Sequence, residues 1–147
     1  MRHWLMAIGM VGCCGIALAQ PGWFTVVGDP LDKAADTVQV DPDRVAPAES
    51  ANANATSKAM NLRVNRSAPR FNWEGIPYRS YESRVVFDCQ SRRASYVAAR
   101  FYIEPLWQGE PHHVADYGAD PKPMLFKDMK INPTLRIVRA ACKPRTS

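Results

Sequence analysis

Four cysteines are the residues best suited to covalent chemistry in this chain of 147 residues, and their positions sort them into two pairs. Cys13 and Cys14 fall inside an apolar run from Leu5 to Ile16, preceded by Arg2 and followed by Ala17-Leu18-Ala19 and Gln20. A short positive start, an apolar stretch and a small-x-small site make a secretion signal, so cleavage after Ala19 is expected to remove residues 1–19. Cys89 and Cys142 then remain, and in an exported chain an even pair is most simply a disulfide. Closing so long a loop is expected to contribute about 4 kcal/mol. The competing reading of the same region is a lipobox. Met10-Val11-Gly12-Cys13 is loosely of that kind, and Cys13 would then carry a lipid and begin the mature chain. The well-formed site at Ala19 favours simple cleavage. The apolar run is shorter than the roughly 20 residues a bilayer-spanning helix needs.

Arginine supplies the other chemistry. Arg63, Arg66, Arg70, Arg79, Arg84, Arg92, Arg93 and Arg100 crowd the middle of a chain of formal net charge +5. Arg63, Arg84 and Arg100 fall on the outward faces of expected strands, where they could form a basic stripe for sulfated glycans, acidic proteins or lipid headgroups. Outward strand positions need polar residues in any case, and arginine also protects edges, so the stripe has a purely structural reading beside the functional one. Tyr96 and Tyr102 are placed on the same outward face and complete the candidate binding surface. The partner expected is an extracellular or envelope protein, or a polyanion. Export argues against nucleic acid, and contact with a membrane is expected only with a lipid at Cys13.

Catalysis finds little support. No Gly-x-Ser-x-Gly elbow and no glycine-rich phosphate loop is present. Glu110, His112, His113 and Asp116 include metal-ligating types, but adjacent histidines on an extended chain point in opposite directions, so no metal site is assigned. The sequons at Asn54 and Asn65 are too short a pattern to weigh. No catalytic residue and no cofactor is expected.

The elements that must position these residues are mostly strands. Trp23 to Val27 is rich in aromatic and β-branched residues, and Thr37 to Val40 puts Val38 and Val40 on one face. Ala46 to Lys58 has no periodic apolar face and reads as a flexible loop within a single domain covering residues 20–142. Met60, Leu62 and Val64 alternate with polar neighbours, and Arg66 to Pro77 reads as irregular. Val85, Phe87 and Cys89 share one face of a strand, with Arg84 and Asp88 on the other. A polar turn at Gln90 to Arg93 leads into Val97, Ala99, Phe101 and Ile103 on the inner face of the next strand, making a hairpin. One further short strand is expected near Val114. Asn132 and Pro133 mark a helix start, and Leu135, Val138 and Cys142 share a face. Residues 143–147 read as a disordered tail. The fold expected is α+β: an antiparallel sheet with a C-terminal helix on one face and one disulfide.

From Trp23 to Cys142 the chain resembles the bacterial surface-adhesin protein E family. The residues that carry this are the Trp23 strand, Val40-Asp41 before a turn, and Gly75-Ile76-Pro77-Tyr78-Arg79-Ser80. Val86-Phe87-Asp88-Cys89, Arg92-Arg93 and the helix ending on Cys142 complete the pattern. The resemblance implies the same sheet, helix and disulfide, export to the periplasm or to the outer-membrane surface, and non-enzymatic binding to host matrix or serum proteins. Its alternative is a periplasmic accessory or structural domain whose partner is another envelope protein.

Overall fold

The computed structural model describes residues 22–48 and 56–144. The expected secretion signal, the middle of the Ala46–Lys58 stretch and the last three residues lie outside the described residues. The chain forms β1 (Phe24–Val27), β2 (Thr37–Val40), β3 (Ala46–Pro47), β4 (Ser57–Phe71), β5 (Pro77–Asp88), β6 (Arg93–Tyr102), β7 (His113–Asp116), β8 (Lys122–Pro123) and the helix α1 (Thr134–Cys142). All strand pairs are antiparallel. The path across the sheet runs β1-β2-β4-β5-β6-β7, with β3 beside β4 and β8 beside β6. The ends of the stretch read as a loop are therefore strand: Ala46 pairs with Ala59 and Pro47 with Lys58.

The segment Arg66–Pro77, expected to be irregular, is instead the far end of one hairpin. β4 continues to Phe71, and its pairing with β5 jumps from Asn65↔Ser80 to Arg70↔Tyr78. The bulge absorbs Pro69 without ending the strand, because a proline is tolerated where no ladder bond is asked of it. Asn72 closes the tip: its Oδ1 accepts the Glu74 and Ile76 amides at 3.0 and 2.8 Å. Gly75 takes the positive φ of 76° that this turn requires.

A second bulge decides which residues of β6 face inward. Arg84 pairs with Ala98 but Val85 pairs with Tyr96, so Val97 is the extra residue. One additional residue reverses the alternation. Ala99 and Phe101 face inward beyond the bulge, as the spacing predicts. Before it, Ala94 and Tyr96 are buried, while Val97 is only half-buried. Tyr96 is thus a core residue and not part of the outward surface; its hydroxyl lies 2.6 Å from that of Tyr81. Ile103, beyond the end of β6, is exposed.

The inner face carries Val38, Val40, Met60, Leu62, Val64, Val85 and Phe87, all essentially inaccessible. α1 contacts β4 and β5 at one end of this face, burying Ile137, Val138 and Ala141. Leu135, expected on that face, is 65 % exposed, because the buried stripe centres between Ile137 and Ala141, more than a third of a turn away. The N-cap is Pro133, one residue after the expected Asn132, although Asn132 Oδ1 does accept the Thr134 amide at 3.0 Å just ahead of the helix. Cys89 and Cys142 are bonded, with Cα atoms 5.4 Å apart, which fastens the helix to the turn after β5.

One buried cation ties distant segments together. Arg66 is 4 % exposed, and its guanidinium meets Asp36 at 3.1 Å and Asp128 at 2.8 Å, while Arg70 reaches the same Asp128 oxygen at 2.9 Å. Burial alone would raise the Asp128 carboxyl, but the Arg66 hydrogen bond and the charges of Arg66 and Arg70 hold it below its ordinary value of 3.8. A carboxylate lowered by folding adds stability above its unfolded value and loses it as pH falls through the folded one. Asp128→Asn is therefore expected to be less stable than the wild type at pH 7. The gap should not exceed about 1 kcal/mol, because solvent screens a side chain that is 46 % exposed. It should be smaller at pH 3, below the ordinary carboxyl value, and shrink further as the folded carboxyl takes up its proton. Urea unfolding at both pH values checks this, and a gap of equal size at both would show that charge is not its origin.

Candidate interaction face

On the outer face of the sheet, strand register lines up one row of side chains. Thr25, Gln39, Arg63, Glu82, Arg100 and Val114 are successive partners across β1, β2, β4, β5, β6 and β7. The next outward row holds Asn61, Arg84, Ala98 and Asp116. The three arginines read from alternation are therefore neighbours: Arg63 and Arg100 flank Glu82, and Arg84 lies one pleat along. Directly opposed charges of unlike sign also support the sheet itself.

Their environments differ. The Arg63 guanidinium carbon lies 4.5 Å from the centroid of the Trp23 ring and 4.0 Å from that of Trp107, while its Nε donates to Gln39 Oε1 at 2.7 Å. Burial lowers its pKa, and the nearby Glu82 charge works against that shift. Held on three sides, Arg63 organises the face and has little freedom to engage a ligand. Arg84 is half-buried and donates to Asn61 Oδ1 at 3.0 Å. Arg100 is exposed.

Trp107 reaches Arg63 through a backbone that few residues adopt. In the turn Pro105–Trp107, Leu106 and Trp107 have φ of 53° and 58°, the left-handed region that side chains other than glycine enter at a cost of about 1–3 kcal/mol each. Three clamps hold the turn. The Leu106 amide donates to Asn65 Oδ1 at 2.8 Å, the Trp107 amide to Ser80 Oγ at 3.0 Å, and Ser80 Oγ in turn to the Glu104 carbonyl at 2.7 Å. The Trp107 indole N–H is shared between the carbonyls of Val64 and Tyr81, at 3.2 and 3.0 Å. Asn65 also donates to the carbonyls of Lys33 and Ala35, so the loop before β2 roofs the same end of the face.

This roof corrects the placement of Tyr102. It does lie on the outward side of β6, but it is only 5 % exposed. It pairs with Ser80, which the returning turn crosses, and its hydroxyl donates to Glu82 at 3.3 Å. Neither tyrosine is thus available at the surface. The accessible part is a groove of about 320 Å³ between Trp23 and the Arg84–Arg100 pair, with Glu82 and Asn61 on its walls and Ala98 in its floor. Sequence reasoning missed Trp107 as a wall of Arg63. It lies more than 40 residues from Arg63 in a segment without periodicity, and only the αL turn joins them.

The two adjacent histidines do not converge. His112 Nε2 lies 2.7 Å from the Pro77 carbonyl, and His113 stacks near Phe101 with Glu74 3.9 Å away. Among the described residues no group of three or more histidine, cysteine or acidic side chains is arranged to hold a metal ion. Among them, too, no helix is long and apolar enough to cross a membrane.

A small antiparallel sheet closed by one helix and one disulfide, with a built arginine–aromatic outer face, describes a compact disulfide-fastened α+β domain. Residues 23–143 match the family model for surface-adhesin protein E, and the chain belongs to that family. Among solved structures it is similar to Haemophilus influenzae protein E in crystal form II, with 14 % identity, a TM-score of 0.43, and coverage of 71 % of this chain and 79 % of that one. No curated protein matches it. Membership makes it a surface-adhesin-like protein.

Proposed function

We propose that this is an exported, non-enzymatic adhesive domain that acts at the bacterial surface and meets an acidic extracellular protein or a polyanion through its outer sheet face. The carrying observation is the division of labour among the arginines. Arg63 is locked between Trp23 and Trp107, while Arg84 and Arg100 line an open groove beside Trp23. Arginine beside an aromatic wall is the chemistry of binding hot spots, and the guanidinium fork suits carboxylate and sulfate. The net charge of +5 has the matching sign.

The test leaves Arg63 intact, because its removal would disturb the face itself. Wild-type protein is expected to be retained on immobilised heparin and released by salt. Arg84→Ser combined with Arg100→Ser should elute at clearly lower salt, with affinity reduced about tenfold, while its thermal unfolding stays within a few degrees of wild type. Unchanged elution of a folded double variant would remove this face as the anion-binding surface.

A further inference from the structure

The opposite face of the sheet holds a cavity of about 160 Å³ with no part in that reading. Its walls are Phe71, Trp73, Tyr78, Tyr81, Tyr96 and Phe101, with Ala99 in the floor. The rings meet mostly edge-on or tilted, at centroid distances of 5.2 to 5.7 Å, as rings fixed by their quadrupoles do. Phe71 and Trp73, at the tip of the β4–β5 hairpin, are 73 % and 50 % exposed and leave the cavity a mouth. A cavity of about 150 Å³ is enough to hold benzene, so one six-membered ring fills this one.

Two hydrogen-bond donors have no acceptor there. Asn72 lines the cavity, and its Nδ2 is buried without a partner. The amide cannot be turned around, because two backbone N–H groups require the oxygen where it stands. The hydroxyls of Tyr81 and Tyr96 share a single hydrogen bond of 2.6 Å. Whichever one donates, the proton of the other has no acceptor among the described residues. Burial, foremost, raises both phenols well above their ordinary value, so both remain neutral and keep their protons. Buried donors of this kind are costly unless a bound group accepts from them.

These features also exclude ligand classes. An ammonium group suits aromatic walls, but it offers no acceptor and would face two donor protons. A carboxylate would accept from them, but no cation lines the cavity to offset its desolvation. We infer that the cavity is a binding site for a small uncharged molecule consisting of one aromatic ring that bears a hydroxyl or carbonyl oxygen, the ring among the six aromatic walls and the oxygen accepting from Asn72 Nδ2 and the tyrosine pair.

Phenol and toluene, nearly equal in size, separate the oxygen from the ring. In a titration followed by NMR, phenol is expected to shift the Asn72 side-chain amide and the Tyr81, Tyr96 and Trp73 rings saturably, and to bind about tenfold more tightly than toluene. Asn72→Asp keeps the oxygen that closes the hairpin tip and removes the donor, so it should erase most of that preference. Ala99→Leu fills the floor and should abolish binding of both. If that variant does not fold, Trp73→Ala removes an exposed wall instead and should weaken both ligands alike. Wild-type protein that binds phenol no better than toluene, or phenol shifts that survive Ala99→Leu, would overturn the inference. N-acetyltyrosinamide identifies the source of the ring. Binding equal to that of phenol means a tyrosine side chain of a partner, and weaker binding means a free small molecule.

Discussion

Replacing Cys89 and Cys142 together by alanine is expected to lower the unfolding free energy by about 4 kcal/mol. The bond closes a loop of 53 residues, and the chain-entropy relation gives that figure for a loop of such length. The local structure explains why nothing else compensates. α1 has nine residues and buries only Ile137, Val138 and Ala141, whereas isolated helices shorter than about 12 residues are marginal in water. Its other anchors are peripheral: Thr134 and Asn132 both bond the Leu125 carbonyl, and Arg136 reaches the Val26 carbonyl at 3.2 Å. A domain of this size has a total stability of about 5–15 kcal/mol, so the variant should fold only marginally. Urea unfolding followed by far-ultraviolet circular dichroism reads the loss. Wild type treated with reductant should approach the variant, whereas a loss below about 1 kcal/mol would mean that the helix docks through its apolar stripe alone.

That bond was legible in the sequence because it needs only a count of cysteines and a compartment. The hairpin of β5 and β6 was equally legible, since Val85, Phe87, Ala99 and Phe101 keep a period of two on both sides of a polar turn. The alternation also placed Arg63, Arg84 and Arg100 on one face. It failed at each point where one extra residue entered a strand. Val97 reverses the face of Tyr96, and no local feature announces it, because Ser95-Tyr96-Val97-Ala98 reads as well in either phase. The long bulge in β4 likewise hid the continuity of the strand to Phe71 behind Pro69. The roof over the outer face was hidden for a different reason. Asn65, Ser80 and Trp107 are joined by hydrogen bonds spanning 27 to 43 residues of sequence, and the turn that joins them uses φ values no propensity scale predicts for leucine or tryptophan. The Arg66 cluster, which links Asp36 to Asp128, was unreadable for the same reason.

The roof carries the second large effect. Trp107→Ala should cost about 2 kcal/mol, below the range for a fully buried ring because Trp107 is half-buried. The ring does two things at once: its face covers the Arg63 guanidinium, and its N–H ties the neighbouring strands β4 and β5. Without the ring, the turn keeps its clamps to Asn65 and Ser80 but loses the two indole ties to the sheet. The left-handed residues are then held less firmly, and the turn should loosen. Trp107→Phe separates these roles, since it keeps an aromatic face over Arg63 and loses only the two indole hydrogen bonds. Its expected cost is about 1 kcal/mol. A double-mutant cycle with Arg63→Met isolates the ring–cation contact, and the coupling with Trp107→Ala should be about 1–2 kcal/mol at this half-buried site. The same variants also read out on binding. Trp107→Ala should release Arg63 from its sandwich and loosen the groove that Arg84 and Arg100 line, so its retention on heparin should change together with its stability. Trp107→Phe should leave retention near wild type. A coupling near zero, with Trp107→Ala and Trp107→Phe equally costly, would mean that the indole hydrogen bonds alone hold the roof and that the face does not depend on a fixed Arg63.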